Sequence, residues 1–329
     1  MTATAAQATD ERWSRRLPGW GVVAGKEFAD HILSVRFVAL LVILGLVGVS
    51  AVYTAAKTLR DVAPATAGVS GLFLRLFTVQ ADPIPFSYLT FVGFLAPILG
   101  IAFGFDAVNG ERAQGTLPRL VSQPIHRDDV INGKFVAGLS VVGLMIVVIT
   151  AIVAGLGIVL LGITPSSGEV IRLIVWLLAA VVYVGVWLAF ATLCSVWMRR
   201  AATSAMVAIG VWLVLVLFGA LFAQIAADVI SPVDAADPQT TLDNARLELT
   251  LSRVSPTVLY EDTATALLNP QTRSLGVVTY AQLDRAVISD LSLPQSLLLV
   301  WQQLMGLAAA TVVIFAFAYL SFMRQEVRA

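Results

Sequence analysis

Six stretches of this 329-residue chain contain no Asp, Glu, Lys or Arg: 37 to 56, 83 to 105, 135 to 168, 173 to 198, 201 to 227 and 291 to 323. Each is longer than the roughly 18 apolar residues that mark a bilayer span. Allowing for prolines and polar ends, the runs predict transmembrane helices over Phe37 to Ala56, Tyr88 to Phe105, Phe135 to Ile163, Leu173 to Val196, Thr203 to Ala227 and Leu297 to Phe322. In lipid a lone segment satisfies its backbone hydrogen bonds only as a helix, so the predicted class is an all-α integral membrane protein with six transmembrane helices. Composition agrees, with 58% hydrophobic and 13% charged residues, against roughly 25% charged in soluble domains. Residues Pro165 to Gly168 predict a tight turn between the third and fourth spans, and Arg199 and Arg200 another between the fourth and fifth.

Six crossings return both termini to one side. Thirteen of the 21 Lys and Arg residues lie there, while the other eight are diluted over longer loops. The positive-inside rule therefore predicts that both termini are cytoplasmic. The first run follows 36 residues that include Asp10, Glu11, Lys26, Glu27 and Asp30, which argues for a first span rather than a cleaved signal peptide. Trp176, Trp197, Trp301 and Tyr319 fall near predicted interfaces, as an aromatic belt requires.

The charge balance is even, 21 basic against 21 acidic residues, so no basic excess points to nucleic acid. Cys194 is the sole cysteine, and His31 and His126 are far apart in sequence. A disulfide framework and a Cys- or His-rich metal site are both excluded. An ionisable group at mid-span costs about 2.5–3.5 kcal/mol on insertion scales and usually lines an ion path. The predicted spans hold none, only Thr150, Thr192 and Ser195, so ion-coupled transport and intramembrane hydrolysis lack their usual groups. Those hydroxyls are expected to bond to a preceding carbonyl or across helices, and Gly100 with Gly104 forms a GxxxG helix-packing pattern.

The most informative polar stretch is the cytoplasmic loop 106–134. Thr116 is placed to cap a helix whose first turn accepts Pro118, and Pro124 disfavours helix at Gln123, which predicts a short helix near 117 to 122. Leu117, Leu120 and Val121 then share one face, flanked by Arg119 and Arg127. Such an apolar knob suits insertion into a partner's groove; a connector lying on lipid headgroups fits the same residues. No G-x-x-x-x-G-K-[ST] phosphate loop occurs, and the inner loops are too short to hold an ATPase domain.

The run Glu111-Arg112, Gly115-Thr116-Leu117, then Ser122, Pro124-Ile125, Arg127 and Gly133-Lys134 resembles the signature of ABC-2 type permeases, membrane subunits of one class of ATP-binding-cassette transporters. Lys26-Glu27-Phe28 followed by Arg36-Phe37 is similar to that family's amphipathic elbow helix, which lies along the cytoplasmic interface before the first span. The outer segment, with Ser255-Pro256 and Leu267-Leu268-Asn269-Pro270, is similar to the NosY-like branch. The resemblance implies a bacterial or archaeal plasma-membrane exporter with a cytoplasmic arm and elbow over 1–36, a permease domain over 37–323 and a cytoplasmic tail over 324–329. It implies that Glu111, Arg112, Gly115, Thr116, Leu117, Arg119, Leu120, Val121 and Arg127 form a coupling helix and its flanks against a separate ATP-binding subunit. That subunit, as a dimer, would bind ATP and Mg, with no cofactor in this chain. A second permease subunit, identical or related, would complete the transporter within the lipid bilayer. A stand-alone channel or scramblase and an integral membrane enzyme are the competing classes.

The extracytoplasmic segment 228–294 mixes acids with apolar residues, enough for helices but too few for a large domain. Leu242, Ala245 and Leu249 repeat at helical spacing and predict a short amphipathic helix there. Its carboxylates lack the D-x-[DN]-x-[DN]-G pattern of a calcium loop. Phe91, Phe94, Met145 and Trp212 suit an apolar or amphipathic cargo, and they equally suit ordinary lipid-facing or packing positions.

Overall fold

The computed structural model describes residues 18–66, 71–82, 86–113, 115, 126–234, 236–277 and 290–325, and among these it is helical, with no strands. In chain order the helices are α1 (Gly19–Ile32), α2 (Val35–Thr66), α3 (Leu72–Thr78), α4 (Tyr88–Gly104), α5 (Asn109–Ala113), α6 (Arg127–Leu161), α7 (Ser167–Trp197), α8 (Ala201–Ile230), α9 (Pro238–Ser252), α10 (Pro256–Leu268) and α11 (Leu293–Arg324). Six of them, α2, α4, α6, α7, α8 and α11, are long and apolar enough to cross a membrane. They coincide with the six charge-free runs, and all but α4 extend beyond their run at one end or both. The third helix begins at Arg127, not Phe135, and the fourth at Ser167, not Leu173. Helical hydrogen bonding continues past the hydrocarbon edge, so charge-free runs underestimate helix length.

Local chemistry fixes the ends. Ser166 accepts from the Glu169 amide while Glu169 reaches back to Ser166, a reciprocal capping box that starts α7 within the predicted turn. Ser292 and Gln295 repeat the device at α11. Gly162, at φ +66°, ends α6 in the left-handed conformation that glycine adopts without strain.

The fourth span, α7, is the central stave. Its apolar window is 61% buried, against 11% for α8 and for α11. It packs on α4, α6, α8, α10 and α11. Trp176 is fully buried and packs against Tyr88 at 6.0 Å between ring centroids. It belongs to the bundle core, not to the interfacial belt; the expectation fails because an outer helix end here is covered by protein. Trp197 and Trp301 are exposed as a belt requires. Met145 is likewise wholly buried and faces no open pathway. The hydroxyls behave as expected in lipid: Thr192 donates to the Leu188 carbonyl at 2.7 Å, and Thr150 bonds Tyr88 across helices at 2.8 Å.

The outer segment does more than cap the bundle. The predicted amphipathic helix is α9, tied to the outer end of α8 by Asn244, which donates to the Asp228 carboxylate and the Ser231 carbonyl. After it, α10 packs against α4, α7 and α11. Tyr260 stacks on Tyr183 at 4.6 Å and lies against Gly93, where a Cβ would meet its ring at 3.0 Å. On the same helix, Asp262 pairs with Arg253 at 2.9 Å and accepts from Gln303 of the last span at 3.4 Å.

At the outer end of α7, Arg172 is 6% exposed. It donates to the Leu267 carbonyl at 3.1 Å, to Ser296 Oγ at 3.0 Å and to the Leu291 carbonyl. A cation is thus held at the C-terminal end of α10, where the helix dipole favours it.

Candidate coupling site

The sequence places no charge in the middle of a span but crowds them where the first three spans meet α1 and α5, and there the structure binds them together. Pro18, which precedes α1, has no side chain able to cap it. The cap comes from another helix: Asp129, in the first turn of α6, accepts from the Trp20 amide at 2.9 Å. A carboxylate at that position also complements the positive end of the α1 dipole. Four residues on, Gly133 lets the two helices touch, since a Cβ there would lie 2.7 Å from Val23 Cβ and 2.8 Å from the Trp20 carbonyl oxygen.

Lys134 follows and is the hub. Its ammonium lies 3.1 Å from Glu27 of α1 and 2.7 Å from Glu111 of α5. The three side chains are 9%, 13% and 16% exposed respectively. Lys26 lies outside this core, 3.6 Å from Glu27 and 3.3 Å from Asp30, with most of its side chain in solvent. Burial opposes its charge, but Glu27, Asp30 and Glu111 together outweigh that and hold its ammonium above the ordinary value. His31, whose ring meets Phe103 edge-on at 5.2 Å, is pulled below its ordinary value chiefly by burial. Arg36 pairs with Asp106 at 2.6 Å and lies over the Phe105 ring at 5.1 Å, joining α2 to the end of α4.

A second set of bonds closes the far side. Arg112 donates to the Val196 carbonyl at 3.2 Å, and Gln325 Nε2 donates to the same oxygen at 2.8 Å. Arg127 in turn donates to the Gln325 carbonyl at 3.2 Å. Ser195 Oγ accepts from the Val108 and Asn109 amides at 3.0 and 3.1 Å, which caps the start of α5 from α7. Val108, Ile131, Val196 and Phe322 pack together between these bonds. The chain leaves α5 through Gly115, which is at φ +66° and unstrained only as glycine.

Of the residues singled out from sequence, Lys26, Glu27, Arg36, Glu111, Arg112, Gly115 and Arg127 thus lie around one inner platform. Thr116, Leu117, Arg119, Leu120 and Val121 lie outside the described residues. Glu111 and Arg112 are both engaged, but with different helices, because consecutive residues on a helix point about 100° apart. Sequence reasoning passed over Lys134 as a site residue, along with Asp106, Asp129, Ser195 and Gln325. For Lys134 the signal was present, a lone cation at the edge of a charge-free run directly after a glycine. Ser195→Ala is expected to leave two buried amides without their acceptor and to lower stability by about 1–3 kcal/mol, read from thermal unfolding.

Six helices long and apolar enough to cross a membrane, with three of them tied together at one end through Lys134, Arg36 and their partners, define a polytopic membrane protein. The family model of the ABC-2 family transporter proteins matches residues 22–327. The chain belongs to that family. It is 29% identical over 130 residues to the probable ABC transporter permease protein NosY of Stutzerimonas stutzeri, a match that covers 38% of this chain and 45% of that protein. The aligned part is therefore less than half of the relative's length.

Proposed function

We propose that this chain is the membrane permease subunit of an ATP-driven exporter, powered by a separate ATP-binding-cassette subunit. The observation that supports it best is the platform around Lys134. Residues 116–125 link α5 to α6 in sequence, and these two helices are tied to α1, α7 and the end of α11. A push on that segment is delivered to several spans together, which a partner-driven rigid-body motion requires. On this reading 117–122 is the coupling helix, and α1 is the elbow at the cytoplasmic face of the plasma membrane. Two permeases, identical or related, sit above an ATPase dimer that binds ATP and Mg. Closure of that dimer would draw the coupling helices together and open a path outward.

The test is isolation of the tagged chain from its own membranes in mild detergent. An ATP-binding-cassette ATPase is expected to accompany it. Leu117→Asp and Leu120→Asp should each release that subunit and abolish ATP-driven transport while leaving thermal unfolding of the permease within a few degrees of the parent. A permease that carries no ATPase, or an Asp variant that still transports, would return the protein to the channel or scramblase class.

A further inference from the structure

The first, second and fifth spans and α10 line a cavity of about 450 Å³ that is open on one side, where Phe86, Phe94 and Glu261 are exposed. Its walls are aromatic and aliphatic, with Phe86, Phe91, Phe94 and Val216 among them. Phe94 is braced edge-on by Trp212 at 5.0 Å. The volume is that of a site for a drug-sized molecule.

Into this apolar space α10 presents one carboxylate, that of Glu261, beside the Thr257 hydroxyl. The neighbouring acid is already neutralised, since Asp262 holds Arg253 at 2.9 Å. Glu261 has no cation at ion-pair distance among the described residues. Thr257 is committed too. Tyr183 donates its proton to the Gly93 carbonyl at 3.0 Å, so the 3.0 Å contact between Thr257 and Tyr183 leaves Thr257 as donor. Thr257 therefore offers acceptor capacity to the cavity, as the carboxylate does.

A carboxylate set among apolar walls is costly without a counter-charge. Aromatic faces stabilise a cation that has shed its water. An anion entering here would meet repulsion with no compensating donor. We propose that this cavity binds lipophilic cations, apolar bodies carrying a single ammonium- or phosphonium-type charge, with Glu261 as the counter-charge and Phe94 as an aromatic wall. This names a cargo class and so rests on the permease reading.

The test uses the full chain in phosphatidylcholine nanodiscs, with radiolabelled tetraphenylphosphonium and tetraphenylborate, two ions of nearly the same shape and opposite charge. Saturable phosphonium binding above that of empty nanodiscs is expected, with no saturable borate binding. Glu261→Gln should weaken phosphonium about tenfold or more, and Glu261→Asp should retain the preference for the cation. Phe94→Ala should weaken phosphonium binding as well. Equal binding of the two ions by the parent protein, or undiminished phosphonium affinity in Glu261→Gln, would overturn the proposal. A Gln variant with unchanged thermal unfolding ties any loss to charge, and retention of cation preference by the Asp variant excludes general damage. Binding is read on the permease alone, so loss of the ATPase partner would sink the transporter reading without touching this result. Failure of ion discrimination would leave the pulldown result standing.

Discussion

Lys134→Met should be the most damaging single change of charge in this protein. The ammonium stands between Glu27 and Glu111 at 3.1 and 2.7 Å, with all three side chains largely shielded from water. Methionine fills similar space but leaves two carboxylates facing each other. Removing one partner from a buried ionic group costs about 3–5 kcal/mol, because the remaining charge keeps its desolvation penalty and loses its compensation. Lys26 is 3.6 Å from Glu27 and also feels Glu111, but it is mostly in solvent, so it screens the two acids weakly. Thermal unfolding is expected to shift down by several degrees. ATP-driven transport should fall further than stability does, since α1 and α5 lose their common tie to α6. The triple variant Glu27→Gln, Lys134→Met, Glu111→Gln should recover much of the unfolding temperature, as neutral side chains no longer need the cation. Parent-like unfolding and transport in Lys134→Met would show that the platform is not held by this charge.

That hub shows how much of the molecule can be read from sequence, and where reading stops. Spans were legible because hydrocarbon excludes charge over a continuous length, and the six charge-free runs each map to one long helix. Polar ends were legible only as a composition. Which acid meets Lys134 depends on how α1 folds back across α6, a crossing set by the closeness that Gly133 permits and by the Asp129 cap on α1. Neither contact has a periodicity. The packing of α10 into the bundle was hidden for a different reason. At 13 residues it is too short to register as a span, and its segment, with Glu261 and Asp262 among the apolar residues, reads only as helical and polar. Its burial comes from Tyr260, Ala264 and Leu267 packing against spans from elsewhere in the chain, a tertiary effect that local pattern does not carry. Trp176 failed as a belt residue on the same ground, because the covering protein is distant in sequence.

Gly104→Leu should abolish the folded state, and Gly100→Leu should come close to it. At Gly100 a Cβ would lie 2.9 Å from both the Leu188 amide nitrogen and the Val184 carbonyl oxygen. At Gly104 it would lie 2.8 Å from Ala191 Cβ and 2.9 Å from the Leu188 carbonyl oxygen. Most of these neighbours are backbone atoms of the central α7, which no rotamer change can move aside, so even a methyl forces α4 and α7 apart. In lipid the separated surfaces gain no hydrophobic penalty that would drive them back, and close packing is the main force between them. Gly104→Ala is expected to cost about 1–3 kcal/mol through overpacking; leucine adds volume that the site has no room to take. Gly210→Leu and Gly219→Leu are the controls. Both glycines lie in α8 with nothing within 4 Å of an added Cβ, and leucine is the better helix former, so stability should hold or rise. Retention of a monodisperse peak after graded heating in detergent checks the comparison, and a Gly104→Leu protein as heat-resistant as Gly210→Leu would contradict the close α4–α7 crossing. The same crossing sets the register that puts Ser195 under the Val108 and Asn109 amides at 3.0 and 3.1 Å. On the permease reading, Gly104→Ala, though still folded, should therefore lose ATP-driven transport out of proportion to its loss of stability, because the helix that leads into the proposed coupling segment no longer sits in step with the central span.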